Sequence, residues 1–309
     1  MRRSITVRVP ATSANCGAGF DVLGVSCALY SEITLTLTDE TDEVTFDMTG
    51  EGANLIPTDK KNIVWKSVQF LLQRVNMAEK FTGGTIRMKN AVPLSKGLGS
   101  SAAAIVGGLK AANVIVGNYF NRSELLDLAT EIEGHPDNVA PAVFGGFTVS
   151  TTENEKVNCF TFLPKIKLKL VAAVPDFPLP TREAREVLPQ EVPRSAAVFN
   201  IGRAAMLVAS LISGNERFIG DCFADMLHQP YREQLIPGMK DVIHAATEAG
   251  AYGAALSGAG PTMMAFAPLQ GQNAVKVGDA MVEAFAQNGV KARAMILNMD
   301  TRGAHIVNY

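Results

Sequence analysis

The 309-residue sequence has little that would tie it to a membrane, to nucleic acid or to an oxidising compartment. Its four cysteines, Cys16, Cys27, Cys159 and Cys222, show no Cys-x-x-Cys spacing and no histidine arranged beside them as a metal site. That argues against a disulfide framework or structural zinc and fits a reduced compartment, the cytoplasm. Charge of one sign is also missing: 28 basic and 30 acidic residues leave a net charge of -2, with no polycationic face for nucleic acid and no acidic tail. The most apolar long stretch, Ala102 to Val116, is interrupted by Gly107, Gly108 and Lys110 and is too short for a membrane span. Met1-Arg2-Arg3 has the charge of an export signal, but Ile5 to Pro10 alternates and carries Arg8 where such a signal needs an unbroken apolar run, so none is expected. Repeats and low-complexity tracts are absent. The remaining 47% hydrophobic content provides a core for one large or two ordinary domains, with small molecules or copies of the chain itself as partners.

What is there is concentrated in residues 93 to 112, where Pro93-Leu94-Ser95-Lys96-Gly97-Leu98-Gly99-Ser100-Ser101-Ala102 opens a helix of small residues. The first turn of a helix leaves about four backbone N–H groups without partners and carries roughly half a positive charge, so a phosphate can rest there on backbone donors. A P-loop needs its lysine after the second glycine, and Lys96 precedes both glycines. A dinucleotide fingerprint matches formally from Gly97 to Ala102. It lacks the apolar strand before it, because Arg87, Lys89, Asn90 and Pro93 stand there, and the acidic residue expected about 20 positions later. Two readings stay open: a phosphate cradle, or a small-residue helix packed closely on a neighbour.

Pro-x-x-x-Gly-Leu-Gly-Ser-Ser-Ala-Ala resembles the signature loop of the GHMP kinases, small-molecule kinases whose members phosphorylate homoserine, mevalonate, phosphomevalonate or galactose. Two further segments extend the resemblance over the chain and are most similar to the homoserine-phosphorylating branch. The first is Pro-Ala-Thr-Ser-Ala-Asn-x-Gly-x-Gly-Phe-Asp from Pro10 to Asp21, and the second runs from Glu131 through Gly134-His135-Pro136-Asp137-Asn138 to Gly146. The resemblance implies that ATP rests on Pro93, Lys96, Gly97, Leu98, Gly99, Ser100, Ser101 and Ala102. It implies that Asn62 approaches the adenine, and that Mg2+ is held by Ser101 and Glu131. It places homoserine against Asn15, Asp21, His135, Asn138, Thr181, Arg185, Arg232 and Gly260, with Asn138 contacting the reacting hydroxyl and Arg185 and Arg232 clamping the carboxylate. A homodimer is usual for the family.

Read without the resemblance, several of these residues have simpler roles. Asn62 suits a helix cap, Lys96 an exposed loop lysine, and Ala11 to Asp21 a tight turn. Ser257-Gly258-Ala259-Gly260-Pro261-Thr262 suits a glycine hairpin. Asp137 is read as structural, capping the helix after Pro136, in a mechanism without a general base. In the mevalonate and galactose branches the matching aspartate is taken to be that base.

Alternation over Ile5, Val7 and Val9 predicts an edge-like strand ending at Pro10. Ile33 to Leu37 and Val44 to Met48 predict a hairpin through Asp39-Glu40-Thr41-Asp42. Helical spacing covers Asn62 to Val75, and Asn121 with Glu124 marks a capping box ahead of another helix. Strands follow at Phe147 to Val149 and Lys165 to Val174, helices at Arg194 to Ser213, Phe218 to Leu227 and Leu235 to Ala249. Strands at Ala254 to Leu256, Met263 to Ala267 and Ala292 to Leu297, with a helix from Asn273 to Asn288, complete a βαββαβ order. The expected architecture is α+β in two domains: a ribosomal protein S5-like nucleotide-binding domain over 1–155 and a ferredoxin-like domain over 156–309 that contributes to the substrate site. The rivals are a mevalonate-type kinase, a non-catalytic binding protein of the same fold and a nicotinamide oxidoreductase. Asp21 separates the first of these, because an ammonium group needs an acidic partner and mevalonate has none.

Overall fold

The structure is a computed structural model that describes residues 3–270 and 272–307. Along the chain its elements are β1 (Arg3–Ala14), β2 (Leu23–Thr38), β3 (Val44–Gly50), α1 (Ile63–Arg74), β4 (Gly83–Asn90), α2 (Ser100–Val116), α3 (Arg122–Glu133), α4 (Pro136–Phe144), β5 (Phe147–Glu153) and β6 (Lys156–Phe162). The second half holds β7 (Leu168–Pro175), α5 (Thr181–Glu186), α6 (Arg194–Ser213), α7 (Gln229–Arg232), α8 (Met239–Glu248), β8 (Gly253–Leu256), β9 (Met263–Pro268), α9 (Asn273–Gln287), β10 (Ala292–Leu297) and β11 (His305–Ile306).

The first sheet has the order β11-β1-β2-β4-β3, with β5 and β6 continuing from the near end of β2. Two expectations about it are corrected. β1 runs on through Pro10 to Ala14, with a register shift between Pro10 and Ala11, and lies between β2 and β11. The β2–β3 hairpin does not form: β4 inserts between the two strands, antiparallel to β2 and parallel to β3. The second sheet, β10-β7-β9-β8, is antiparallel throughout and carries the ferredoxin-like order. β6 pairs with β5, and β11 returns to β1, so the first sheet takes in residues on both sides of position 155. The expected domain boundary therefore cuts a hairpin.

Apolar alternation explains the layers. Val7, Val9, Ile33, Leu35 and Ile86 face α1 to α4 and form one core. On β7, Leu170, Ala172 and Val174 face a core shared between the sheets, while Val171 and Ala173 face α8 and α9, so this strand is buried on both sides. Asn121 and Glu124 make the full capping box that starts α3. Instead of a helix over Phe218 to Leu227 there are short 3-10 turns, which leave the chain free to wrap around Asp225. α6 is long and apolar enough to span a membrane by length and composition alone, its most apolar 18 residues having a mean hydropathy of 1.6. Its Leu207 and Leu211 pack into the core between the sheets, and Val198, Ile201 and Met206 are exposed.

Candidate active site

A cleft of about 130 Å³ opens where the start of α2, the start of α4, the loop after β1 and the β8–β9 turn meet. Gly99 stands at the head of α2 with φ +69° and no side-chain cap, so the first N–H groups of α2 are left for a ligand. The loop before it is clamped from two sides. Thr12 N–H donates to the Leu98 carbonyl at 3.1 Å, Thr262 N–H donates to the Lys96 carbonyl at 3.2 Å, and Ser257 Oγ lies 2.5 Å from the Gly97 carbonyl. At Gly97, φ is +76° and an added Cβ would stand 2.2 Å from the Ser257 carbonyl, so only glycine fits.

Ser101 and Glu133 meet in this cleft, Ser101 Oγ donating to the Glu133 carboxylate at 2.8 Å. Burial raises the Glu133 carboxyl above its usual range, opposed by that bond and by the charge of His135. Glu131, the expected metal carboxylate, lies outside the cleft: it is exposed and paired with Arg74. Residues two apart on a helix point about 200° from one another, so only one of this pair can face the phosphate loop. Glu133 is the one that faces it, through Ser101.

The substrate-side residues converge as follows. Asn15 Nδ2 donates to the Gly258 carbonyl at 2.9 Å, and its Oδ1 accepts the Asp21 N–H at 3.0 Å. Arg185 grips Asp21 with both amino groups, at 2.8 and 3.1 Å. His135 Nδ1 lies 2.5 Å from the Asp137 carboxylate. Burial lowers the pKa of that imidazole, but Asp137's hydrogen bond and charge outweigh it and hold it above its usual value. Asn138 accepts from Thr12 Oγ1 at 2.9 Å, and its Nδ2 points to Asp137 at 3.4 Å. Asp137 does not cap α4. His135 occupies the cap position, and Asp137 sits inside the first turn with its carboxylate turned to His135. Thr181, at the start of α5, lines the same wall. Arg232 is 2% exposed, and burial, aided by the charge of Arg185, pushes it down to about 10. Asn15, Asp21 and Ser95 all line the cleft with positive φ, backbone strain gathered at one place.

An apolar pocket of about 190 Å³ adjoins the cleft through Ser95, Ser100 and Ser101, walled by Ile56, Val64, Met88 and Leu94. Asn62 is in its wall, with its polar atoms engaged: Oδ1 accepts from Val64 N–H at 2.9 Å and Nδ2 donates to the Pro57 carbonyl at 2.7 Å. Two further expectations change, at Lys96 and Gly260. Lys96 turns away, its Nζ donating to the Pro175 carbonyl at 2.7 Å. Leu98 and Ala102 direct their side chains into the cores. The cleft is lined by Gly258 and Ala259 rather than Gly260, whose Cα faces Leu256 and Ile236. Ser95 and Thr12, which motif reading did not single out, stand in or against the cleft. Their signal in the sequence was position alone, beside Pro93 and Pro10.

A small-residue helix start with a serine and a carboxylate beside it, facing paired charges of both signs, defines a small-molecule phosphotransferase. Two family models match the chain, "GHMP kinases N terminal domain" over residues 62–146 and "GHMP kinases C terminal" over residues 207–288, and the chain belongs to the GHMP kinases. Within that family, homoserine kinases are among the relatives that it matches over nearly their full length. That of Carboxydothermus hydrogenoformans is 44% identical over 99% of this chain and 98% of its own, and that of Moorella thermoacetica 43% identical over 97% and 99%. The crystal structure of homoserine kinase from Cytophaga hutchinsonii superposes with a TM-score of 0.88 at 33% identity, covering 98% of this chain and 97% of that one.

Proposed function

We propose that the chain transfers the γ-phosphoryl group of ATP to the side-chain hydroxyl of L-homoserine, giving O-phospho-L-homoserine for threonine biosynthesis. The observation that carries the substrate is the Asp21–Arg185 pair on the cleft wall. A zwitterionic amino acid matches both charges, its ammonium on Asp21 and its carboxylate on Arg185 and Arg232. A mevalonate-type acid would have to displace Asp21 from Arg185 with nothing to offer Asp21 in return.

Phosphoryl transfer needs positioning and charge neutralisation more than covalent help. The N–H groups at the start of α2 hold the phosphates, and the adjoining apolar pocket suits the adenine. Asn138, oriented by Thr12, holds the acceptor hydroxyl near the phosphate. The donor set Ser101 Oγ and Glu133 carboxylate, hard oxygens 2.8 Å apart at the phosphate-facing helix, fits Mg2+, which retains water and phosphate oxygens for its other positions. When bound, magnesium neutralises charge on the transferring group. The cluster Asp21, His135 and Asp137, although compact, is occupied by its own pairings with Arg185 and within itself.

The reading carries a homodimer working in the cytoplasm, and the exposed apolar residues of α6 offer material for self-contact.

Arg185→Ala tests the substrate assignment. A guanidinium fork on a carboxylate is charge-assisted, so its loss should raise the homoserine KM by about ten- to a hundredfold, with the ATP KM unchanged. Steady-state kinetics varying each substrate in turn reads the split. Equal rises in both KM values would remove Arg185 from the homoserine site.

A further inference from the structure

Arg232 lies on α7, a single helical turn, and it is useful to a carboxylate only if its guanidinium is held in one plane. Its Nε donates to the Ala184 carbonyl at 2.9 Å. Its Nη1 reaches the Gly258 carbonyl at 3.1 Å and Nδ1 of His228 at 3.2 Å. Nη2 makes no hydrogen bond to any described residue. A guanidinium only donates, so Nδ1 of His228 must present its lone pair. The other ring nitrogen, Nε2, lies 2.9 Å from the Gly17 carbonyl, which only accepts, so Nε2 carries the proton. Partners from two distant segments thus define one neutral tautomer.

The imidazole is fully buried and stacks on Phe20 at 5.1 Å, and the Arg185 and Arg232 guanidinium groups lie over the same ring at 5.8 and 5.4 Å. Burial lowers the pKa of His228 and Arg232 adds to this, against the pull of Asp225, whose carboxylate is 3.6 Å from Nε2. A protonated ring would set a second donor against Arg232. Asp225 also accepts the backbone N–H groups of Leu227, His228 and Gln229 at 3.1, 2.9 and 2.7 Å, and Asn200 Nδ2 at 2.6 Å, which fixes the backbone that carries the ring.

We propose that His228 is a positioning residue for the substrate carboxylate: its Nδ1 lone pair engages one Nη1 proton of Arg232 and leaves the Nη2 edge of the guanidinium for the cleft. This rests on the reading of Arg232 as part of the carboxylate clamp.

Three variants of the full chain test it. His228→Gln keeps a donor near the Nε2 position and loses the Nδ1 acceptor. His228→Asn keeps an acceptor near Nδ1 and loses the donor, while Arg232→Ala removes the clamp. The measurements are homoserine affinity by calorimetry with a non-hydrolysable ATP analogue, the ATP KM, and the thermal unfolding midpoint. His228→Gln should weaken homoserine by about tenfold, and His228→Asn by no more than about threefold, with the ATP KM unchanged in both. The opposite order, with the better space-filling glutamine closer to wild type, or wild-type affinity in both, overturns the proposal. If His228→Gln does not fold, His228→Asn decides alone: retained affinity supports the role, and a tenfold loss at an unchanged midpoint contradicts it. If Arg232→Ala leaves homoserine affinity intact, the clamp reading itself fails and takes this one with it. A loss there without the predicted His228 order overturns the positioning role alone.

Discussion

Glu133→Gln should lower magnesium-dependent turnover by about a hundredfold or more, while Glu131→Gln leaves it within about twofold. The two residues end the same helix, yet only Glu133 reaches the phosphate-facing start of α2, where it meets Ser101. An amide keeps the shape and the hydrogen bond but not the charge that a dication requires. Ser101→Ala removes one neutral ligand and should cost about tenfold. Glu131 pairs with Arg74 at the surface, where an ion pair contributes about 1 kcal/mol at most. Asp137→Asn completes the series. If the hydroxyl proton passes to the phosphate late in a loose transition state, that variant loses about tenfold in kcat. A loss of about a thousandfold at unchanged KM would make Asp137 a general base. Turnover against magnesium concentration at saturating ATP reads all four variants, and a wild-type titration for Glu133→Gln would remove that residue from the metal.

Gly99→Val should abolish measurable ATP binding, an effect of at least about a hundredfold. Gly99 has φ +69°, which β-branched residues avoid, and an added Cβ would lie 1.9 Å from Thr12 Oγ1 and 3.2 Å from Asn138 Oδ1. The substitution therefore moves the head of α2 and breaks the Thr12–Asn138 bond that orients the acceptor group. Gly117, past the other end of α2, is the control. Its φ is +115° and nothing lies within 4 Å, so Gly117→Ala should cost about 1 kcal/mol of stability through backbone strain and leave the ATP KM alone. Nucleotide titration of the folded variants separates the two. Normal ATP affinity in Gly99→Val would make this stretch a packing helix.

Much of this site was legible because the chemistry constrains residue type at short range. Two positive-φ glycines, two serines and alanines in one run state a backbone that must approach something closely, and the Asn121–Glu124 spacing states a helix start. What could not be read needed three-dimensional phase or pairing. Alternation along β3 tells which residues share a face but not which strand lies beside it, and β4 takes the place expected of β2. Glu131 and Glu133 are the same residue type two positions apart in the same motif, and only the rotation of α3 against α2 chooses between them. Lys96 had the right sequence position to reach phosphate, but the Pro175 carbonyl from β7 captures it. His228 carried no motif signal, since its partners Gly17 and Arg232 belong to segments that meet only in the folded chain.

The most direct measurement is the acceptor itself. Purified protein with ATP and magnesium is offered homoserine, mevalonate, galactose and threonine in turn, with ADP release followed and the product examined by phosphorus NMR. Homoserine should give stoichiometric O-phosphohomoserine, with mevalonate and galactose at background. Mevalonate turned over as well as homoserine, or ADP release with no acceptor phosphorylated, would contradict the assignment of Asp21 and Arg185 to a zwitterionic substrate.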